Sequence, residues 1–327
     1  MAARDGGRIA MTALTWLGRH ASALLLLGLV TVPFVPVSPE RLKPLLPVLV
    51  SLVTALAIAR QPLGRDDLAR LFPPLGTARL VGWLIVSQLG FSAVAVLISN
   101  LLGIAPWLAF LPVAFFSTAP LGSAPNVAAM VRCDVRLALR LTLLGVVLAP
   151  VLMPLALSFT GATLDATPWE MARRVLAMLA AGIAGGIAIQ RIAGLDRIER
   201  NTDVLNGLSA LAMIGFLFPL LSGTGAAIAA DPVLAAGLFT LACALNFGGH
   251  LVIRAAARHV VPPETAAAAG LVFGNRNMSI VLAALPFDPV LTLFVALAQV
   301  PIYATPYLFT PPDRRDPAPA CPASSES

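Results

Sequence analysis

The stretch ETAAAAGLVFGNRNMSIVLAALPFD, Glu264 to Asp288, decides the fold. Its length is close to the ~20 residues that an α-helix needs to cross a bilayer, and both flanks are apolar. The middle reads Gly274-Asn275-Arg276-Asn277, four residues that a lipid-facing helix should not contain. Arg276 lies about twelve residues from either end, roughly 18 Å at 1.5 Å per residue, which puts it near the membrane midplane. An Arg there costs from ~3 kcal/mol on insertion scales to well over ~10 for an isolated helix. Even the lower figure is large beside a folding stability of ~5–15 kcal/mol. The protein must use that charge.

Working outward, the whole chain reads the same way. Of its 327 residues 58% are hydrophobic and 12% charged, with a mean hydropathy of +0.87. A soluble domain carries about twice that charge. The apolar tracts are spread evenly and leave room only for short loops, so a multi-pass membrane protein is expected. The net charge of +6 falls at tract ends, where it sets orientation in the bilayer. Nucleic acid is therefore not an expected partner; the lipid bilayer is. Cys133, Cys243 and Cys321 are far apart, fit no metal or redox spacing, and read as packing or tail residues. Arg4, Arg8 and Arg19 precede an apolar run from Ala21 to Val35. That run resembles a signal peptide, but no small-x-small cleavage site follows, so it reads as the first membrane helix.

Apolar tracts between charged breaks predict ten spans, near 16–37, 44–59, 80–98, 104–131, 137–159, 169–190, 203–222, 232–253, 264–286 and 289–309. With the N-terminus cytoplasmic, that side receives most arginines: Arg60 to Arg79, Arg132 to Arg140, Arg191 to Arg200, Arg254, Arg258, Arg314 and Arg315. The opposite side receives only Arg41, Lys43, Arg173 and Arg174. This obeys the positive-inside rule and predicts both termini in the cytoplasm. The expected domain is a single membrane unit over 1–310. The tail 311–327, rich in Pro, Ser and Ala, has little to bury and is expected to be disordered. The link from Gln61 to Ala78 reads as a short interfacial helix or a plain loop.

Five spans per half, an odd number, would set two copies of one half upside down relative to each other. Repeat one covers about 12–160 and repeat two about 165–309. Leu141-Thr142-Leu143-Leu144 runs on to Pro150 and Pro154, and Leu291-Thr292-Leu293-Phe294 to Pro301 and Pro306. The spans before these are both interrupted. Span four carries Ala119-Pro120-Leu121-Gly122-Ser123-Ala124-Pro125-Asn126, and span nine carries Gly274 to Asn277. Pro removes a backbone donor and Gly is a weak helix former. The freed backbone groups cannot face lipid. Paired broken helices at matching positions point to a transporter binding site, against the plainer reading of two packed proline kinks.

At these residues the chain resembles the bile acid:sodium symporter family, in the superfamily that includes arsenite and auxin efflux carriers. The matching pieces are APLGSAPNVAAM in span four, GNRNM in span nine, and the ten-span, two-half plan. The resemblance implies an all-α fold in which broken helices four and nine cross mid-membrane. Spans 3–5 and 8–10 would form a core and spans 1, 2, 6 and 7 a panel. A small organic anion would bind between them by alternating access, in the plasma (inner) membrane of a bacterium. Sodium-coupled members hold their ions behind the crossing. The family's Ser-Asn pair falls on Pro125-Asn126, and its span-five hydroxyls fall near Leu139 and Leu143. Its Glu-x-Gly-x-Gln-Asn falls on Val272-Phe273-Gly274-Asn275-Arg276-Asn277, so the acid becomes Val272 and the Gln becomes Arg276. A hard cation wants oxygen ligands and an anionic one among them. Beside Arg276 it would also meet repulsion of several kcal/mol at ~4 Å even with an effective dielectric near 20. No cofactor and no metal is expected, and transport independent of sodium is.

The expected crossing site is thus Arg276, Asn275, Asn277, Gly274, Asn126, Pro125, Ser123 and Pro120. Arg276 has three readings: a guanidinium in the place of a sodium ion, a bidentate ligand for a substrate carboxylate or sulfonate, or a structural pin on broken-helix carbonyls. Secondary candidates are Asn246 and His250, four apart on span eight, with Gln88, Gln299 and Tyr303. Asn246 and His250 read as interhelical hydrogen-bonding groups, with a proton relay as the alternative. Gly182 and Gly186 form a small-xxx-small packing face. Glu264, Asp165, Asp231 and Asp288 sit at predicted span ends and show no obvious proton carrier.

An enzyme is not expected, since neither His-Glu-x-x-His nor a Ser with a base is present. A channel remains a competing class. An arsenite carrier would need a Cys in span four and an acid in span nine. Sodium- or proton-coupled symport and auxin-efflux-like export of an organic anion remain alternatives, and the oligomeric state is open.

Overall fold

The structure is a computed structural model that describes residues 2–60, 69–161 and 166–309. Gln61 to Leu68 of the expected interfacial link, Asp165, and the tail from Thr310 lie outside the described residues. In what is described, regular structure is helical, apart from one isolated bridge between two residues.

Proline and acidic caps set most helix starts. Pro74, Pro106, Pro168, Pro232, Pro263 and Pro289 each open a helix, where the missing N–H costs nothing and φ is already helical. Two of the predicted end-of-span acids, Asp231 and Asp288, act as caps. Asp231 Oδ1 accepts from Leu234 N at 2.9 Å, and Asp288 Oδ1 accepts from Leu291 N at 2.6 Å. Thr167 and Glu170 form a reciprocal capping box.

The helices are α1 (Ala2–Arg19), α2 (Ala21–Thr31), α3 (Leu46–Ala59), α4 (Pro74–Leu101), α5 (Pro106–Ser117), α6 (Ala124–Met130), α7 (Val135–Ser158) and α8 (Pro168–Ala193). They continue with α9 (Leu195–Arg200), α10 (Thr202–Leu221), α11 (Thr224–Ala230), α12 (Pro232–Cys243), α13 (Gly249–Ala257), α14 (Pro263–Gly274), α15 (Ser279–Ala284) and α16 (Pro289–Phe309). Among the described residues seven helical runs are long and apolar enough to cross a membrane: 39–59, 74–101, 135–158, 168–193, 202–230, 232–257 and 289–309. A bent pair, Met11–Arg19 with Ala23–Phe34, meets the test jointly at a 78° bend. The chain is an all-α, multi-pass membrane protein. Large apolar side chains such as Val86, Val147, Val151 and Leu251 stay exposed on its outer faces, as contact with lipid rather than water allows.

Two predicted spans change shape. The first does not run unbroken from residue 16: the chain turns at His20, and α1 packs on α10 as a separate helix. Its charged Arg19 meets Asp203 at 3.6 Å, which holds that end at a polar surface. The third runs from Pro74, earlier than residue 80, because Pro73-Pro74 supplies a start that hydropathy alone does not mark.

Two sets of helices share one hydrophobic core, and α7 packs along α8 between them. In one set, α8 lies along α3, joined by α10. Gly182 and Gly186 make this contact: a methyl group on Gly182 would lie 2.9 Å from Ser51 O, and one on Gly186 2.8 Å from Ala55 O. Ser51 Oγ donates to Met178 O at 2.9 Å and Arg60 Nη2 to Leu205 O at 2.7 Å across the same group. In the other, α4, α5, α6 and α7 pack with α12, α13, α14 and α16 around Phe115, Phe273 and Phe294. The interrupted helices α5/α6 and α14 belong to this second set, while α15 lies against α3 and α8, where Arg174 Nη1 donates to Ala284 O at 3.0 Å.

Candidate functional site

The interruption after α5 and the one after α14 meet. Thr118 to Ser123 leave the helical path because Pro120 cannot donate and Gly122 is a weak helix former. Asn275 leaves it with φ −100° and ψ 96°, an extended conformation. Pro120 and Arg276 then pair as an antiparallel bridge. Leu121 N donates to Asn275 O at 2.9 Å, and Asn277 N donates to Ala119 O at 2.8 Å. The backbone groups freed by each break thus satisfy those of the other. Close approach from behind fixes the geometry. A methyl group on Gly145 of α7 would lie 2.3 Å from Pro120 Cδ, and one on Gly274 would lie 2.5 Å from Asn246 O.

Arg276 occupies the junction and is only 1% exposed. Its Nε donates to Phe273 O at 2.8 Å, and its Nη1 donates to Thr118 O at 3.1 Å. The first carbonyl belongs to the last turn of α14, and the second caps α5. Each helix C-terminus carries about half a negative charge, so two such ends converge on one guanidinium. The Cζ atom stands 4.6 Å from the centre of the Phe273 ring. Phe273 in turn stacks on Phe116 at 5.4 Å and touches Phe91 at 4.6 Å. Among the described residues no carboxylate pairs with Arg276, and Nη2 has no partner. A cation is held here by carbonyls and a π face alone.

A second polar cluster lies beside it, where α12 passes through a π-helical turn, Ala244–Gly248, into α13. Asn246 within that turn is 1% exposed. Its Nδ2 donates to Gly274 O at 2.6 Å and to Asn275 Oδ1 at 3.3 Å. Thr305 Oγ1, from α16, reaches both Asn246 Oδ1 at 3.2 Å and Asn275 Oδ1 at 3.3 Å. Asn275 Nδ2 donates to Leu271 O at 3.0 Å. The break is therefore tied to three helices through amides and one hydroxyl.

The remaining candidates divide. Asn277 is fixed by its backbone N–H and accepts from Ser279 through Oδ1. Ser123 accepts at its carbonyl from Asn126 N and Val127 N and starts α6, whose first turn holds Pro125. The Asn126 side chain is exposed and is not brought to Arg276. Gln88 is fully buried on α4 with neither amide atom partnered among the described residues. Gln299 is buried and bonds within its own helix, to Val295 O at 3.0 Å, while Tyr303 is half-buried. His250 is 3% exposed, yet neither ring nitrogen has a hydrogen-bond partner among the described residues, which corrects the expectation that it bonds between helices. Cys133 sits buried in the connection between α6 and α7, where burial pushes its thiol up to about 11. It is a packing residue.

Four buried polar residues escape a reading by motif. Thr118 and Thr305 supply a carbonyl and a hydroxyl. Ser92 and Thr142 are buried hydroxyls with no partner among the described residues. Thr142 and Thr292 fall at the same place in the two Leu-Thr-Leu runs and are 5% and 7% exposed, so the internal repeat was the available signal. The hydroxyl that α7 turns inward is Thr142, next to the positions Leu139 and Leu143 that the resemblance indicated.

No protein-family model matches the chain, and no curated protein matches it.

Proposed function

We propose that the chain is a carrier for a small organic anion that works by alternating access, with ten crossings in two inverted five-helix halves. The observation that carries this reading is the bridge between Pro120 and Arg276, in which two interrupted helices complete each other's backbone bonding inside the helical bundle. Irregular backbone at membrane depth is tolerated where protein or a polar cavity surrounds it, and carriers use such breaks as binding sites. On this reading α5/α6 is the fourth crossing and α14/α15 the ninth. The set of α3, α8 and α10 then moves against the set that holds the break, and the contacts of α7 and α15 with α3 and α8 part and re-form in the cycle.

Arg276 stands in for a bound cation. Half-helix C-termini in carriers are where sodium or protons sit. Here two such ends already hold a guanidinium, through Nε and Nη1. An added sodium ion would find no carboxylate among the described residues at the break and a like charge beside it. The same commitment argues against Arg276 as the first contact of substrate in this state, because an anion would reach Nη2 only after the helix groups part.

The test is uptake into liposomes by the full chain, after a thermal-shift screen of carboxylates and sulfonates has identified a ligand through the stabilisation RT ln(1 + [L]/Kd). Saturable, counterflow-stimulated uptake that is equal with and without a sodium gradient is expected. Strict dependence on sodium would refute the cation-substitution reading, and non-saturable flux would indicate a channel.

A further inference from the structure

His250 stands out among the titratable groups that the crossing does not use. It lies one turn beyond the π-helical segment that carries Asn246, on a helix packed against α14 with almost no gap. A methyl group on Gly270 would lie 2.5 Å from His250 O, and one on Gly274 would lie 3.0 Å from His250 Cβ. On its other side the imidazole stacks on Phe309 of α16, with ring centres 4.0 Å apart. A neutral imidazole has one donor and one acceptor, and an imidazolium has two donors. None of these is met by a protein group among the described residues. Leaving such a group dry costs about 1–3 kcal/mol per unmade bond. A Phe or Leu would fill the space without that cost, so packing does not explain a histidine here.

The charged surroundings are sparse. Arg254 lies four residues along on the same helix and bears on the ring electrostatically. The sequence of α14 has one ionisable residue, Glu264, at its far N-terminal end, and α16 has only Tyr303 and Tyr307. Arg276 lies beyond the break. The last turn of α14, ending at Gly274, presents the negative end of a helix to this region. An imidazolium formed in the packed state would have no acceptor among the described residues and would stand near the like charge of Arg254. It therefore needs water, and water needs the packing of α13, α14 and α16 to open.

We propose that His250 is a proton-binding site whose occupancy is linked to the geometry of the break through Asn246. The link is direct in the chain: His250 follows Asn246 by four residues, and Asn246 holds Gly274 O and Asn275 Oδ1. The ring takes one proton from water when its pocket is hydrated and returns it when the pocket closes to the state described above. Together with the carrier reading, on which the transport part of this inference rests, that cycle makes the proton the coupling ion where sodium has lost its place. A π-helical turn at this position fits the role, since such turns recur at functional sites and give a helix a second register.

Solid-state NMR on the full-length protein in nanodiscs, with ring-15N histidine and no substrate, tests the site. The chain has three histidines, and His20 and His259 are exposed. Replacing both with Gln leaves the His250 ring signal alone without touching the site. As the pH is lowered from about 8 to about 3, through and below the range in which histidine ordinarily changes charge, that signal should convert from a neutral tautomer to imidazolium. Amide exchange at Asn275 to Asn277, corrected for intrinsic rate, should rise over the same interval, and His250→Gln should remove that rise. A ring that stays in one neutral tautomer throughout overturns the proposal. So does titration that leaves exchange at the break unchanged. Because both readouts are made without substrate, their failure leaves the carrier reading standing, and failure of the substrate screen leaves the proton site standing.

Discussion

Arg276 shows how one residue can be costly by itself and supportive in place. Its charge has no anionic partner among the described residues, so its stability rests on the Phe273 and Thr118 carbonyls and the Phe273 ring. Substituting Met keeps a long, flexible side chain that can lie on the ring but supplies no donor. Two buried carbonyls would then lose a partner, at about 1–3 kcal/mol each. Some of that is returned because a desolvated charge disappears as well. We expect Arg276→Met to lower stability by about 2–4 kcal/mol and Arg276→Lys by less, since an ammonium retains a donor but loses the fork. Thermal unfolding of purified variants reads the difference. A Met variant as stable as the parent would remove the bridging role.

The helices themselves were largely legible from hydropathy. What blurred was set by short-range chemistry: the start of α4 at a Pro-Pro pair, and the turn at His20 that splits the first span. The breaks in α5/α6 and α14/α15 could be read because Pro, Gly, Asn and Arg do not belong in an apolar helix. Which side chains turn inward could not, since orientation about a helix that is apolar all round leaves no periodic signal. Thr142 was passed over in favour of its neighbours for that reason, and Asn126, expected at the junction, is exposed on α6. The small-xxx-small face of α8 was legible, and it carries an element-scale prediction. A methyl group on Gly182 or Gly186 would fall inside contact distance of the α3 backbone, which cannot rotate away as a side chain can. Gly182→Ala and Gly186→Ala should each cost about 1–3 kcal/mol by forcing α3 and α8 apart. Gly237→Ala on α12 meets nothing within 4 Å and should be neutral or gain up to about 1 kcal/mol from helix propensity. Equal melting temperatures for all three would show that α3 and α8 are not held by close backbone approach.

For the molecule as a whole, the proposed topology requires each interrupted helix to cross the membrane rather than turn back. Arginine placement and geometry bear on it independently. If α5/α6 crosses, the connection before it, near Leu102, and the one after it, near Val135, lie on opposite sides. If it re-enters, they share a side, and Arg132, Arg136 and Arg140 would stand with Arg41 and Lys43; because α7 and the spans after it still cross, Arg191 to Arg200, Arg254 and Arg258 would join them there. That arrangement would break the charge asymmetry followed by the other loops. Both Leu102 and Val135 are exposed, at 70% and 41%, so single cysteines there are suitable reporters in a background lacking Cys133, Cys243 and Cys321. A membrane-impermeant maleimide added to intact cells should label Leu102→Cys and Glu40→Cys, the latter in the helical turn before α3, and should reach Val135→Cys only after the membrane is opened. Labelling of Leu102→Cys and Val135→Cys from the same side would make the interruption a re-entrant loop. The proposed division into two inverted five-helix halves would then fail, and with it the proposed reason for the broken helices to occur as a pair.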